Sequence, residues 1–176
     1  MNFFELFNLT PAFDLDAGHL TARYRELQRQ HHPDQIQHTQ SQDTDSSAVL
    51  SDALNSALVN DAYDTLRIAA KRAAYLLDLK GQATALEQSI GDVDFLSNAL
   101  EVREQLDEAD SADALESLRL EINQWISALS NEFKIDYAAE DWPEARDTSR
   151  KLAFMQRILN DIDSAEDRFD DLDDLY

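Results

Sequence analysis

The side chains with the most evident chemistry are His32, Pro33 and Asp34, with His31 just before them and His38 shortly after. Three uses suit such a group. His32 and Asp34 could act as an acid–base pair. His31, His32, Asp34 and His38 could share a metal ion. The tripeptide could instead be a recognition turn, in which Pro33 fixes the backbone and Asp34 caps or accepts hydrogen bonds. An ordinary turn that happens to contain these residues is the fourth reading. Helical phase weighs against the metal, because adjacent residues sit about 100° apart on a helix and His31 and His32 therefore point to different faces. No glycine-rich phosphate loop, HExxH or nucleophile motif accompanies the group. The chain has no cysteine, so it offers no disulfide, no thiolate nucleophile and no cysteine ligand. We therefore expect no enzyme activity, no catalytic residue, no metal and no resident cofactor; a turnover assay on the chain alone would separate this from acid–base catalysis.

The elements that must position the turn are legible from period and caps. Asp16 is a plausible N-cap. Leu20, Tyr24, Leu27 and His31 then recur at helical spacing as an inner face. Arg25, Arg29 and His32 share the opposite face, with Arg23 at its flank. Pro33 ends this helix, since its ring disfavours helical geometry in the preceding residue. Gln35 to about Ser47 is polar and aperiodic, a loop. A second helix should begin near Ser46 or Ser47, with Leu50, Leu54, Leu58, Ala62 and Leu66 as a stripe joined by Val59 and Tyr63. A short helix over 69–80 follows, then a segment from Gly81 to Asp94 with two of the three glycines. Three more helical patterns come next, over about 94–108, about 112–135, and from Pro143, a favoured first helical residue. The second carries Leu115, Leu118, Ile122, Trp125, Ile126, Leu129 and Phe133, and the third Leu152, Met155, Leu159, Ile162, Ala165 and Phe169. The fold class is all-α, a helical hairpin followed by a three-helix bundle.

Composition agrees. Only 3 glycines and 3 prolines in 176 residues favour long helices over a turn-rich β fold. Apolar residues, 43% of the chain, suffice for a core, and no run approaches the length of a membrane span. The opening MNFFELFNLT lacks a basic region and a cleavage site, so no secretory signal is expected and a cytoplasmic location is the default. The formal charge of -21 repels nucleic-acid phosphates and anionic lipids and suits a basic protein partner, or simply confers solubility. We expect neither nucleic-acid nor membrane partners.

Residues 1–75 resemble a J-domain, the helical hairpin whose hallmark is His-Pro-Asp between its two helices. LQRQHHPDQ and VNDAYDTLR carry the resemblance. It implies that His32, Pro33 and Asp34, with Arg25, Arg29 and Arg23, dock on a DnaK-type chaperone and favour the state that hydrolyses ATP. Exposed guanidinium groups would steer association toward an acidic partner. Many J-domains follow the tripeptide with Lys, whereas this chain has Gln35.

Within the second half, DVDFLSNALEVREQLDE and RKLAFMQRI resemble the C-terminal domain of the HscB family, co-chaperones of bacterial iron–sulfur cluster assembly. The resemblance covers nearly the whole chain. It divides the chain into a J-domain (1–75), a linker and connecting helix end (76–84), a scaffold-binding bundle (85–171) and an acidic tail (172–176). It implies an HscA-like chaperone partner, an IscU-like scaffold partner, and a scaffold-binding surface at Leu96, Leu100, Glu101, Glu104, Glu108 and Phe154. Helical phase supports such a face separately. Phe95, Ala99, Val102 and Leu106 form one stripe facing the core, while Leu96 and Leu100 lie 100° or more from Phe95, beside the three glutamates. An apolar centre with an acidic rim fits protein binding, although both leucines could instead pack on the last helix, and Phe154 could cover the bundle's edge. Ser97 stands where the family often has a larger apolar residue. A J-domain protein serving a different client is the alternative function.

Overall fold

The computed structural model describes residues 1–30 and 46–173, with the side chains of 30, 46–54 and 169–173 outside the description. Every regular element among the described residues is a helix: α1 (Phe3–Leu6), α2 (Ala17–Gln30), α3 (Ser46–Arg67), α4 (Ala69–Leu79), α5 (Val93–Glu108), α6 (Ala112–Ala138) and α7 (Trp142–Asp173). The chain divides into two compact units, Met1–Leu76 and Leu77–Tyr176.

In the first unit, Asn2 caps α1 reciprocally with Glu5, each side chain holding the other's backbone N–H. That box sets the entry of Phe4 and Phe7, both fully buried. Burial of each stabilises the unit by about 1.5–3 kcal/mol. The Tyr75 hydroxyl accepts from the Phe3 backbone N–H at 2.8 Å, and its ring stacks on Phe3 at 4.7 Å. Asp16 caps α2 as its residue type suggests, its Oδ1 accepting from the His19 N–H at 2.8 Å. Leu20 and Leu27 are buried as expected. Between α2 and α3, Thr21 meets Tyr63, and Tyr24 stacks on Tyr63 at 4.0 Å while donating to Asn60 at 2.9 Å. Rising numbers on α2 meet falling numbers on α3, so the hairpin is antiparallel.

The α3 stripe needs one correction. Ala62 and Leu66 are buried with Val59, but Leu58 is 45% exposed. Four residues advance about 400°, so an i, i+4 row drifts about 40° per step; the buried row is instead Val59, Ala62 and Leu66. At the foot of α3, Arg72 donates to the Leu66 carbonyl at 2.6 Å and lies over the Phe13 ring at 4.6 Å. Burial lowers its pKa below the ordinary arginine value, against the opposing pull of Asp14.

In the second unit, α4 ends in a Schellman turn. Gln82 N–H reaches the Leu77 carbonyl and Gly81 N–H the Asp78 carbonyl, both at 2.8 Å. Gly81 sits at φ +69°, the left-handed conformation this turn requires and glycine adopts freely. Asp92 and Ser111 cap α5 and α6, accepting from the N–H three residues on. The Asp92–Lys151, Phe95–Phe154 and Arg103–Asp161 contacts run in register, so α5 is parallel to α7. Arg119–Asp163 and Asp136–Thr148 run in opposite order, so α6 is antiparallel to α7. The core is Ala99, Val102, Leu115, Ile122, Phe133, Leu152, Met155, Ile158 and Ile162 with their neighbours.

Four expectations shift here. Ile158 is fully buried whereas Leu159 is half-buried. Trp125 and Ile126 are half-buried. Phe95 and Leu106, expected in the core, are half-buried at the bundle's margin. The last helix starts one residue before Pro143, which therefore takes the second position; its missing N–H is one of the orphan donors of a first turn in either place. Helix α7 runs to Asp173, and 174–176 lie outside the described residues.

Candidate functional site: two protein-docking faces

The first face belongs to α2. Arg25 and Arg29 are exposed, as their helical phase requires. Arg23 differs from them. It is half-buried and paired with Glu26 at 2.6 Å, one helical turn away, so less of its charge is on offer. His31, His32, Pro33, Asp34, Gln35 and His38 lie outside the described residues.

The second face is built by α5, α7 and the segment before α5. Leu100 is 57% exposed, and Glu101, Glu104 and Glu108 are exposed around it. Leu100, Glu104 and Glu108 follow one another at i+4, an apolar head with an acidic row below it. Leu96 and Phe154 are half-buried, and neither packs in the core. They share a groove of about 530 Å³ with residues 86–90, Ala153, Arg150 and Arg157. Structure thus places Leu96, Leu100 and Phe154 at the surface, and it joins Leu96 to Phe154 directly through the groove. Ser97 is exposed beside them.

The groove is held from below. Phe95 lies edge-on to Phe154 at 6.0 Å and against Trp125 at 6.0 Å, so one half-buried ring supports the floor. The Lys151 ammonium lies 5.6 Å from the Phe95 centroid and pairs with Asp92 at 2.8 Å and Asp147 at 3.1 Å. Burial works against that ammonium, yet its two carboxylate hydrogen bonds outweigh it and raise its pKa above the ordinary lysine value. Reciprocally, the Lys151 hydrogen bond and the cap to Phe95 N–H hold Asp92 below the usual carboxylate range. The groove's other wall is tied to α7: Arg150 donates to the Ala85 carbonyl at 3.1 Å, and Arg146 to Gln82 Oε1 at 3.2 Å. Ala85 itself takes φ +61°, unusual for a residue with a Cβ, and the Arg150 contact helps retain it.

Sequence reasoning missed this wall and its arginines. Leu86 and Ile90 sit in a segment with no period to read. Arg157 could have been found, since it follows Phe154 by one helical turn.

Among the described residues no three His, Cys, Asp or Glu side chains converge to hold a metal ion. No helix there is long and apolar enough to cross a membrane.

Comparison with known proteins assigns the chain. Residues 91–163, which include α5 and most of α7, match the family model of the HSCB C-terminal oligomerisation domain. A co-chaperone protein HscB homolog from Acinetobacter baumannii is 52% identical over 176 residues, all of this chain and 96% of that protein. The homolog from Acinetobacter baylyi is 51% identical over 98% of this chain and 95% of its own. Among solved structures, chaperone HscB from Vibrio cholerae superposes with a TM-score of 0.72 at 31% identity, covering 96% of this chain and 99% of that one. Human co-chaperone HscB gives a TM-score of 0.75 at 28% identity, covering 94% and 82%. With a J-domain hairpin, a C-terminal helical bundle and relatives of this identity over its full length, the chain belongs to the HscB family of co-chaperones.

Proposed function

We propose that this chain stimulates the ATPase of an HscA-like, DnaK-type chaperone and delivers an IscU-like scaffold to it, assisting iron–sulfur cluster assembly or transfer. The observation that carries the reading is the pairing of an exposed Leu100, beside Glu101, Glu104 and Glu108, with a groove shared by Leu96 and Phe154. A leucine more than half exposed at the head of an acidic row is unneeded for the core and suits a partner with apolar and basic groups.

The division of labour follows from the two units. Arg25 and Arg29, with Arg23 as a weaker helper, draw in the chaperone's acidic surface, and His32, Pro33 and Asp34 act as the trigger. The domains are those of the sequence reading, a J-domain over 1–75 and a scaffold-binding bundle over 85–171, joined through the end of α4. The chain performs no reaction itself, because ATP is bound and hydrolysed by its partner. It works in the cytoplasm with no resident cofactor.

The test is a steady-state ATPase assay with a purified HscA-like chaperone, with and without IscU-like scaffold. The chain should stimulate alone, and stimulate further with scaffold present. Stimulation that ignores the scaffold, together with no measurable scaffold binding, would favour a J-domain protein with another client.

A further inference from the structure

The groove between residues 86–90 and α7 has a lip unlike the acidic row on α5. Arg150 and Arg157 both line it, against one carboxylate, Glu87. Both terminal nitrogens of Arg150 are engaged, one with the Ala85 carbonyl and one with Asp147 at 3.0 Å. Arg157 is different. It is exposed, and its guanidinium carbon lies 5.5 Å from the centroid of Phe154. The carboxylate one turn further along α7, Asp161, is taken by Arg103 at 2.8 Å. Among the described residues Arg157 has no ion-pair partner, in a chain with 36 acidic and only 15 basic residues. An arginine left unpaired amid such an excess of carboxylates is a site for a carboxylate from elsewhere.

We propose that Arg157 pairs with an acidic residue of the scaffold, placed beside the apolar side chain that enters the groove between Leu96 and Phe154. The inference rests on the scaffold-binding reading above and adds the charge pattern the partner must carry. Stacking on Phe154 limits the rotamers of Arg157 before contact, so less side-chain freedom is lost on pairing. The acidic row from Glu104 to Glu108 asks for a basic group, and Arg157 asks for an acidic one. Two opposite requirements on one face fix the orientation in which the scaffold docks, and they penalise the reversed one.

The experiment measures binding of the full chain to purified IscU-like scaffold by calorimetry. Loss of one exposed charge pair should weaken binding modestly, so Arg157→Gln, which removes the charge, should raise Kd by about three-fold. Arg157→Glu should raise it by about ten-fold through like-charge repulsion, and a single Asp/Glu→Lys change on the scaffold should recover most of that loss. Both variants should melt with the parent, because Arg157 is exposed. The proposal is overturned if both variants bind within two-fold of the parent while Leu100→Ala binds poorly, or if no acidic-to-lysine change on the scaffold recovers Arg157→Glu. If Leu100→Ala and Leu96→Ala also bind as the parent does, the scaffold-binding face itself is misplaced and the lip falls with it.

Discussion

Leu100→Ala separates a docking residue from a packing residue in one melt. Full burial of a leucine side chain stabilises a fold by about 1.5–3 kcal/mol, but Leu100 is 57% exposed. Less than half of its surface is withdrawn from water, and alanine keeps part of that cover. The expected cost is within about 0.5 kcal/mol, the range of an ordinary surface substitution. Leu152 is the internal control: it is fully buried, and Leu152→Ala should cost about 2–5 kcal/mol with its cavity. In a chain of this length each kcal/mol moves the melting temperature by about 2–4 °C. Leu152→Ala should therefore lower it by roughly 4–20 °C and Leu100→Ala by about 2 °C or less. Scaffold affinity should show the reverse order of effects. Truncating an apolar anchor at an interface costs on the order of 1–2 kcal/mol, which is about 5- to 30-fold in Kd. The assays are a thermal melt followed by circular dichroism and calorimetric titration with IscU-like scaffold. A melting loss for Leu100→Ala comparable to Leu152→Ala would refute the exposure argument. An unchanged melt with unchanged affinity would refute the docking role.

Three further outcomes are expected. His32→Gln or Asp34→Asn should abolish stimulation of the chaperone ATPase while scaffold affinity stays at the parent value; normal stimulation by either variant would remove the trigger from this turn. Arg25→Ala with Arg29→Ala should weaken stimulation, and added salt should weaken it in the parent, since exposed charges are screened over about 8 Å at physiological ionic strength; salt-independent stimulation would count against the basic face. Asp92 is held below the ordinary aspartate value of 3.8 chiefly by its Lys151 hydrogen bond, so the unfolded chain binds its proton first and that contribution to stability is present above 3.8 and lost as pH falls through the depressed value. Asp92→Asn should therefore lower the melting temperature at neutral pH and flatten its fall at acid pH, and an acid limb identical to the parent's would show that the pair does not contribute.

Much of the chain could be read before its structure. Helix identity followed from period and punctuation: Asp16 and the apolar row Leu20 and Leu27 define α2, and starts were expected near Ser46 or Ser47 and at about Ala112. The scarcity of glycine and proline favoured long helices over a turn-rich β fold. The outward phase of Arg25, Arg29 and Leu100 also followed from 100° per residue, which depends only on the backbone of the helix itself. What the wheel could not supply was the position of neighbouring helix axes. Leu58 and Val59 are adjacent and both apolar, yet Val59 is buried and Leu58 is left 45% exposed. Phe95 looked like core, but the seam between α5, α6 and α7 leaves it half-buried between Phe154 and Trp125. The groove wall at 86–90 has no period, and the arginines of α7 reaching back to Gln82 and Ala85 help place it. A sequence fixes angles around one axis through local hydrogen bonding, whereas burial and ion pairing depend on the distances between axes, and those are set only when all the helices pack at once.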